Sequence, residues 1–217
     1  MDLRLRPYGS SGELVYPLEG LLDYYAGAAQ EWEIQALLKI RVVTGDPALK
    51  QRVRDLLCRE RTLASVRVSI IRMRAAQKKP HRDGVGYDVK NDRGGIRDIE
   101  FLAQGLQLAH ASRVPSLVTG NTLIALRRLA AAALLPDGVA RQLADDYVWL
   151  RRLEHYLQIL ADRQVHAIPT APTAPTALAR RVLGPAARAA DLTDQLAAVA
   201  DRVSGHFRRQ LHLVADS

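Results

Sequence analysis

The chain has 217 residues, 48% of them hydrophobic, so it can bury a core and has room for one domain or one and a half. Aromatics make up only 5%, too few for a β-sandwich, and an excess of alanine, leucine and arginine predicts a mainly helical, soluble fold. The formal charge is +8, but Cys58 to Arg97 alone carries eleven Lys and Arg against four Asp and Glu, which points to an anionic ligand, an acidic partner or a solvated arginine-rich face.

Asp2-Leu-Arg-Leu-Arg6 alternates charged and apolar residues up to Pro7 and predicts a strand, with Leu14-Val-Tyr16 as a short partner after the turn Gly9-Ser-Ser-Gly12. Helices follow from Leu18 to Tyr25, from Trp32 to Val43, and from Pro47 to the mid-seventies, where polar Gln77 to Tyr87 reads as a loop. A basic, glycine-broken loop, Asp88 to Gly95, then runs into a helix. On it Ile96, Ile99, Leu102, Ala103 and Leu106 share one side, and Arg97, Glu100, Gln104 and Gln107 form a polar stripe. Asn121 or Thr122 caps a helix to Leu135, and Pro136-Asp-Gly138 precedes a long one to about Gln164 with Leu150, Leu153, Leu157 and Leu160 as its core face. Pro169 to Pro175 reads as an extended linker before helices at Thr176 to Leu183 and Ala187 to Val214. The predicted divisions are residues 1–17 (a β remnant), 18–168 (a helical domain), 169–175 (the linker) and 176–217 (terminal helices).

The loop-to-helix junction carries the most chemistry. Lys90, Arg93 and Arg97 supply charge, and Gly94-Gly95 is expected to present unpaired amides at a helix start, an arrangement suited to phosphate. Read plainly instead, Asp98 and Glu100 are first-turn acids and Arg97 pairs locally. Arg151, Glu154, Gln158 and Asp162 form a second stripe, for which surface pairing is the favoured reading. Cys58, the only cysteine, excludes an intramolecular disulfide and a cysteine zinc cluster, and the histidines lack metal-ligand spacing. No apolar run reaches the length of a membrane span and no signal core follows the start, so a cytoplasmic location is expected. Only Tyr87 could stack on a base in the basic span, which disfavours nucleic acid.

Asp2-Leu-Arg-Leu-Arg-Pro7, Trp32-Glu33, Arg41-Val-Val43, Gly45-Asp-Pro47 and above all Lys90-Asn-Asp-Arg-Gly-Gly-Ile-Arg-Asp-Ile-Glu-Phe101 resemble the bifunctional glutamine synthetase adenylyltransferase/adenylyl-removing family. The resemblance reaches about residue 169 through Leu150-Arg-Arg-Leu-Glu-His-Tyr-Leu-Gln158 and Asp162-Arg-Gln-Val-His-Ala-Ile-Pro169. Trp32 to Pro47 looks more like the second, adenylylating half and Leu150 to Pro169 more like the first, adenylyl-removing half. The resemblance implies a helical domain joined to the tail of a DNA polymerase beta-type nucleotidyltransferase domain, which acts with ATP and Mg²⁺ on a tyrosine of glutamine synthetase under the PII signal protein in nitrogen metabolism.

Asp2 would then be the third catalytic carboxylate and a metal ligand. Arg4, Arg6, Lys90, Arg93, Gly94, Gly95 and Arg97 would meet nucleotide phosphate, supported by Asp98, Glu100 and Gln104. Asn91-Asp92 departs from first-half members, which commonly have an apolar residue and glycine there. The Gly-Ser turn and paired Asp-x-Asp of such a domain are expected upstream, as in a truncated gene or one with a misplaced start, so the chain alone is expected to be inactive. The alternative is a catalytically silent helical module that binds glutamine synthetase or a PII-type regulator.

Overall fold

The computed structural model describes residues 6–41, 43–45, 47–77, 85–161, 165–170 and 173–211. In chain order these form α1 (Leu18–Asp23), α2 (Glu31–Leu37), α3 (Pro47–Leu57), α4 (Leu63–Gln77), β1 (Val85–Asp88), α5 (Ile96–His110), α6 (Thr122–Ala131), α7 (Asp137–Ala161), β2 (Ala167–Pro169), α8 (Thr173–Leu183) and α9 (Ala189–Gln210). The mainly helical expectation holds. Residues 2–5 of the predicted strand lie outside the described residues, Arg6 at its end forms a bend, and its proposed partner Leu14-Val-Tyr16 is irregular chain with Leu14 and Val15 exposed. The sheet is elsewhere: β1 pairs antiparallel with β2, Val85 opposite Pro169 and Asp88 opposite Ala167.

The axis of the fold is α5. From Ile96 to Ala109 every residue is buried except Arg97, so its polar stripe is as internal as its apolar one. A helix enclosed all round must find partners for its polar side chains: Arg74 of α4 meets Asp98, Gln35 of α2 meets Gln104, Tyr147 of α7 lies beside Glu100, and the loop before α6 takes Gln107. On α7, Leu150, Leu153 and Leu157 are buried and carry its core face as the spacing predicts. The wrap is completed by α8 and α9: α9 packs on both α5 and α7, so the terminal helices belong to the same body as the junction.

Two predicted segments, one helix and one linker, resolve differently. The span from Pro47 breaks at Cys58, because Arg61 turns back to donate to the carbonyls of Leu56, Leu57 and Arg59, closing the end of α3. Thr62 then opens α4 by accepting from the Ser65 amide at 3.1 Å. The proline-rich run is not extended throughout: β2 ends at Pro169 and α8 starts at Thr173. Pro175 falls in the first helical turn, where an N–H has no intrahelical acceptor in any case. Asn121 caps α6 as expected, accepting from the Ile124 amide at 3.0 Å.

Candidate functional site at the loop-helix junction

The β-ribbon delivers Asp88 to the start of the loop, and Asp88 then organises it. Its carboxylate accepts from the amides of Lys90 at 2.9 Å and Asn91 at 3.0 Å and from the Asn91 side chain at 2.9 Å. The Asp88 amide in turn donates to Asp92 at 2.7 Å. Gly94 has φ +78° and lies against the backbone of Ala200 on α9, while Gly95 passes close to the Val89 carbonyl.

The unpaired amides expected here are not found, because each points inward. Gly94 donates to Asp98 at 2.6 Å, Gly95 to the Asp92 carbonyl, Ile96 to Val89, Arg97 to Lys90 and Asp98 to Gly95. The tightness of the turn consumes the donors that a bound anion would need. Asp98, at the third position of α5, reaches back to the Gly94 amide and also takes Arg74 Nε at 2.5 Å, while Arg74 Nη1 donates to the Asn91 carbonyl at 2.5 Å. One aspartate thereby fastens the loop, α4 and α5.

Two further buried carboxylates collect cations at the surface. Glu100, 6% exposed, holds Lys39 Nζ and Arg97 Nη1, each at 3.2 Å, and lies 3.4 Å from the Tyr147 hydroxyl. Glu154, 2% exposed, holds Arg151 Nη1 at 2.6 Å and Lys90 Nζ at 3.5 Å, and sits 2.7 Å from His166 Nδ1. Tyr147 and Arg151 are one turn apart on α7, so the two groups form a continuous face. Arg202 makes a comparable pair with buried Asp146 at 2.6 Å. Burial raises the Tyr147 pKa, with the nearby Glu100 charge adding to it against the opposing Thr122 contact and Arg151.

The predicted residues therefore divide. Asp2 and Arg4 lie outside the described residues, and Arg6 lines an apolar cavity of about 300 Å³ with Leu14, Leu21 and Ile40. Lys90 and Arg97 join the Glu100–Glu154 face, but Arg93 turns to α9, with Nε donating to Ser204 at 2.7 Å. Gln104 accepts from Gln35 at 2.5 Å in the interior, and Gln107 donates to the carbonyls of Leu117 and Thr119. The surface reading of Glu154 is overturned by its burial; Asp162 lies outside the described residues. Lys39, Arg74, Tyr147 and His166 were not singled out, because only tertiary packing brings them in. Among the described residues no three metal-binding side chains cluster, and Asp98, Glu100, Asp146 and Glu154 are all committed to cations. These residues do not fit a magnesium site.

For Asp88, burial alone raises the pKa, but the Asn91 side chain, the Asn91 and Lys90 amides and the nearby His166 outweigh it and lower the net value. A lowered folded-state value gives stability that is present above the unfolded value of about 3.9 and lost as pH falls through the folded one. Asp88→Asn is therefore expected to lower the melting temperature at pH 7, with the gap to wild type closing below about pH 4 in calorimetry. A gap that stays constant over that range would exclude the charge as its source.

A buried central helix and its neighbour α7, whose carboxylates hold a row of basic side chains at one face, define a mainly helical module that presents charge beside a glycine turn. Residues 51–211 match the family model described as GlnD PII-uridylyltransferase, and residues 1–55 match that described as glutamate-ammonia ligase adenylyltransferase. Relatives named bifunctional glutamine synthetase adenylyltransferase/adenylyl-removing enzyme include one from Pseudomonas putida, 36% identical over 214 residues, which covers 96% of this chain and 22% of the relative. Those from Pseudomonas aeruginosa and Thioalkalivibrio sulfidiphilus are each 38% identical, over 78% of this chain and 18% of their own length. The helical body thus belongs to the family of the GlnD PII-uridylyltransferase model, and over 96% of its length the chain is similar to an enzyme named bifunctional glutamine synthetase adenylyltransferase/adenylyl-removing enzyme. The likeness extends beyond residue 169 into α9. The chain spans about a fifth of the length of these relatives, 22% in the longest alignment.

Proposed function

We propose that this chain serves, as part of a larger enzyme, in transfer of AMP from ATP to a tyrosine of glutamine synthetase or in its phosphorolytic removal. The observation that carries this reading is the near-full-length match to enzymes of that name, 36% identical across 96% of the chain. The helical body supplies the basic face of Lys90 and Arg97 at the junction, and Asp2, Arg4 and Arg6 would belong to the adjoining nucleotidyltransferase domain. Magnesium enters only through Asp2 together with carboxylates contributed from outside this chain. In-line nucleotidyl transfer needs metal-held phosphates, so a single carboxylate is insufficient. ATP as substrate, PII as regulator and a cytoplasmic location belong to the same reading; no helix among the described residues is long and apolar enough to cross a membrane.

The test is a chimaera in which this chain replaces the matching segment of the Pseudomonas putida enzyme. AMP incorporation into glutamine synthetase and phosphate-dependent release of ADP from its adenylylated form are both measured. One of the two activities is expected to persist, whereas the isolated chain shows neither. A folded chimaera that has lost both, or turnover by the isolated chain, overturns the proposal.

A further inference from the structure

The basic face is larger than the loop that first drew attention to it. Lys39 follows α2, Lys90 comes from the loop, Arg97 from the first turn of α5 and Arg151 from the middle of α7. Their side chains are 45%, 24%, 30% and 48% exposed, while the two carboxylates beneath them are 8% and 3% exposed. Each acid therefore grips its cations from below and leaves part of each cation in water. Four cations against two carboxylates leave positive charge in excess on the face, with Asp88 taken up by the loop amides and Asp98 by Arg74.

The hydrogen-bonding of the two arginines adds an independent observation. Arg97 and Arg151 each meet their glutamate through one terminal nitrogen, not through the two-pronged contact that a guanidinium makes when a carboxylate is its whole purpose. Arg97 Nε is buried, and the remaining terminal N–H groups of the two arginines match the oxygens of a phosphate. Arg97 lies in the first turn of α5, and Gly120, just before α6, packs close to the backbone of Lys39.

We infer that Lys39, Lys90, Arg97 and Arg151 together bind a polyphosphate chain, with Glu100, Glu154 and Tyr147 as positioning residues that hold the cations apart at the surface. Lys39 and Arg151 are the new members, and the inference deepens the proposed function by naming the ligand chemistry of the same junction. A single orthophosphate engages only part of the row, whereas linked phosphates reach from one carboxylate's cations to the other's. The same chemistry is offered by a nucleoside triphosphate and by free inorganic polyphosphate.

The test uses the full 217-residue chain, titrated with tripolyphosphate, ATP and orthophosphate by calorimetry at ionic strength held constant with NaCl. Tripolyphosphate and ATP are expected to bind more tightly than orthophosphate, and Lys39→Gln and Arg151→Gln to weaken tripolyphosphate binding about tenfold each. Lys39→Arg should retain binding, and Arg180→Gln, an equal charge change on the exposed side of α8, should leave it unaltered. Tighter binding of ATP than of tripolyphosphate identifies a nucleotide as the source, and the reverse a free polyphosphate. Wild-type chain that binds neither, or an Arg180→Gln loss equal to that of Arg151→Gln, overturns the inference. If Lys90→Gln and Arg97→Gln abolish binding while the Lys39 and Arg151 variants do not, the inference fails and the proposed function stands. A chimaera inactive in both reactions, beside an isolated chain that binds as expected, overturns the proposed function alone.

Discussion

Asp98→Ala is expected to lower the stability of the chain by about 3–5 kcal/mol, the cost of stranding one half of a buried ion pair. Asp98 is 3% exposed, and the Arg74 side chain that it holds is itself only 18% exposed. Alanine leaves that mostly enclosed guanidinium with the Asn91 carbonyl but without its carboxylate, and leaves the buried Gly94 amide without an acceptor and unable to reach water unless the junction opens. Denaturant unfolding followed by circular dichroism measures the loss. A cost below about 1 kcal/mol would show that the junction tolerates the vacancy and that Asp98 is not its fastener. Removing both charges separates the pair's worth from the penalty of breaking it. Asp98→Leu combined with Arg74→Met should recover much of the loss in a double-mutant cycle, although the Gly94 amide stays unsatisfied.

The exposed pairs of the same chain should behave differently. Arg188 and Asp191 meet at 2.9 Å with side chains 79% and 38% exposed, and water screens their attraction. Glu154 falls between the two cases. It is as deeply buried as Asp98, but its partner Arg151 is 48% exposed and can rehydrate when the carboxylate is lost, whereas Lys90 and His166, 24% and 22% exposed, are nearly as enclosed as Arg74. Burial of the cation as well as of the acid decides which pair matters most to folding.

This distinction also explains what the sequence could and could not disclose. Helical content, the leucine face of α7 and the Asn121 cap are local properties, written in spacing and in one side chain's reach to its own backbone. The break after Leu57 depends on Arg61 folding back onto three carbonyls, and the β-ribbon joins segments almost eighty residues apart, so neither has a local signature. At the site, Arg97 with Glu100 and Arg151 with Glu154 are visible as pairs three residues apart. The same spacing describes an exposed helix surface, and only the enclosure of α5 and the packing of α7 against it turn the pairs into buried acids under exposed bases. Lys39 and His166 enter through tertiary contact alone. The glycines were legible as a tight turn, but not the direction of their amides: that depends on Asp98 reaching back and on α9 closing the far side.

The approach of α9 sets the second large effect. Gly94→Ala is expected to cost at least about 3 kcal/mol, because two penalties coincide at one position. Its φ of +78° is strained for any residue with a Cβ, and that Cβ would lie 2.1 Å from the Ala200 carbonyl oxygen and 2.5 Å from the Ala200 Cα. Both obstacles are backbone atoms of α9, which cannot swing aside as a side-chain tip would. Relief requires α9 to move away from α5, which weakens the Arg93–Ser204 contact and exposes the apolar faces that α9 buries. Gly138→Ala is the matching control: it lies within the first turn of α7 with nothing near its would-be Cβ, so alanine there should be neutral or stabilise by up to about 1 kcal/mol. Calorimetric melting of the two variants beside wild type measures both effects. Should Gly94→Ala melt with the wild type, α9 does not press on the turn. The basic loop would then be held by Asp98 and the β-ribbon alone.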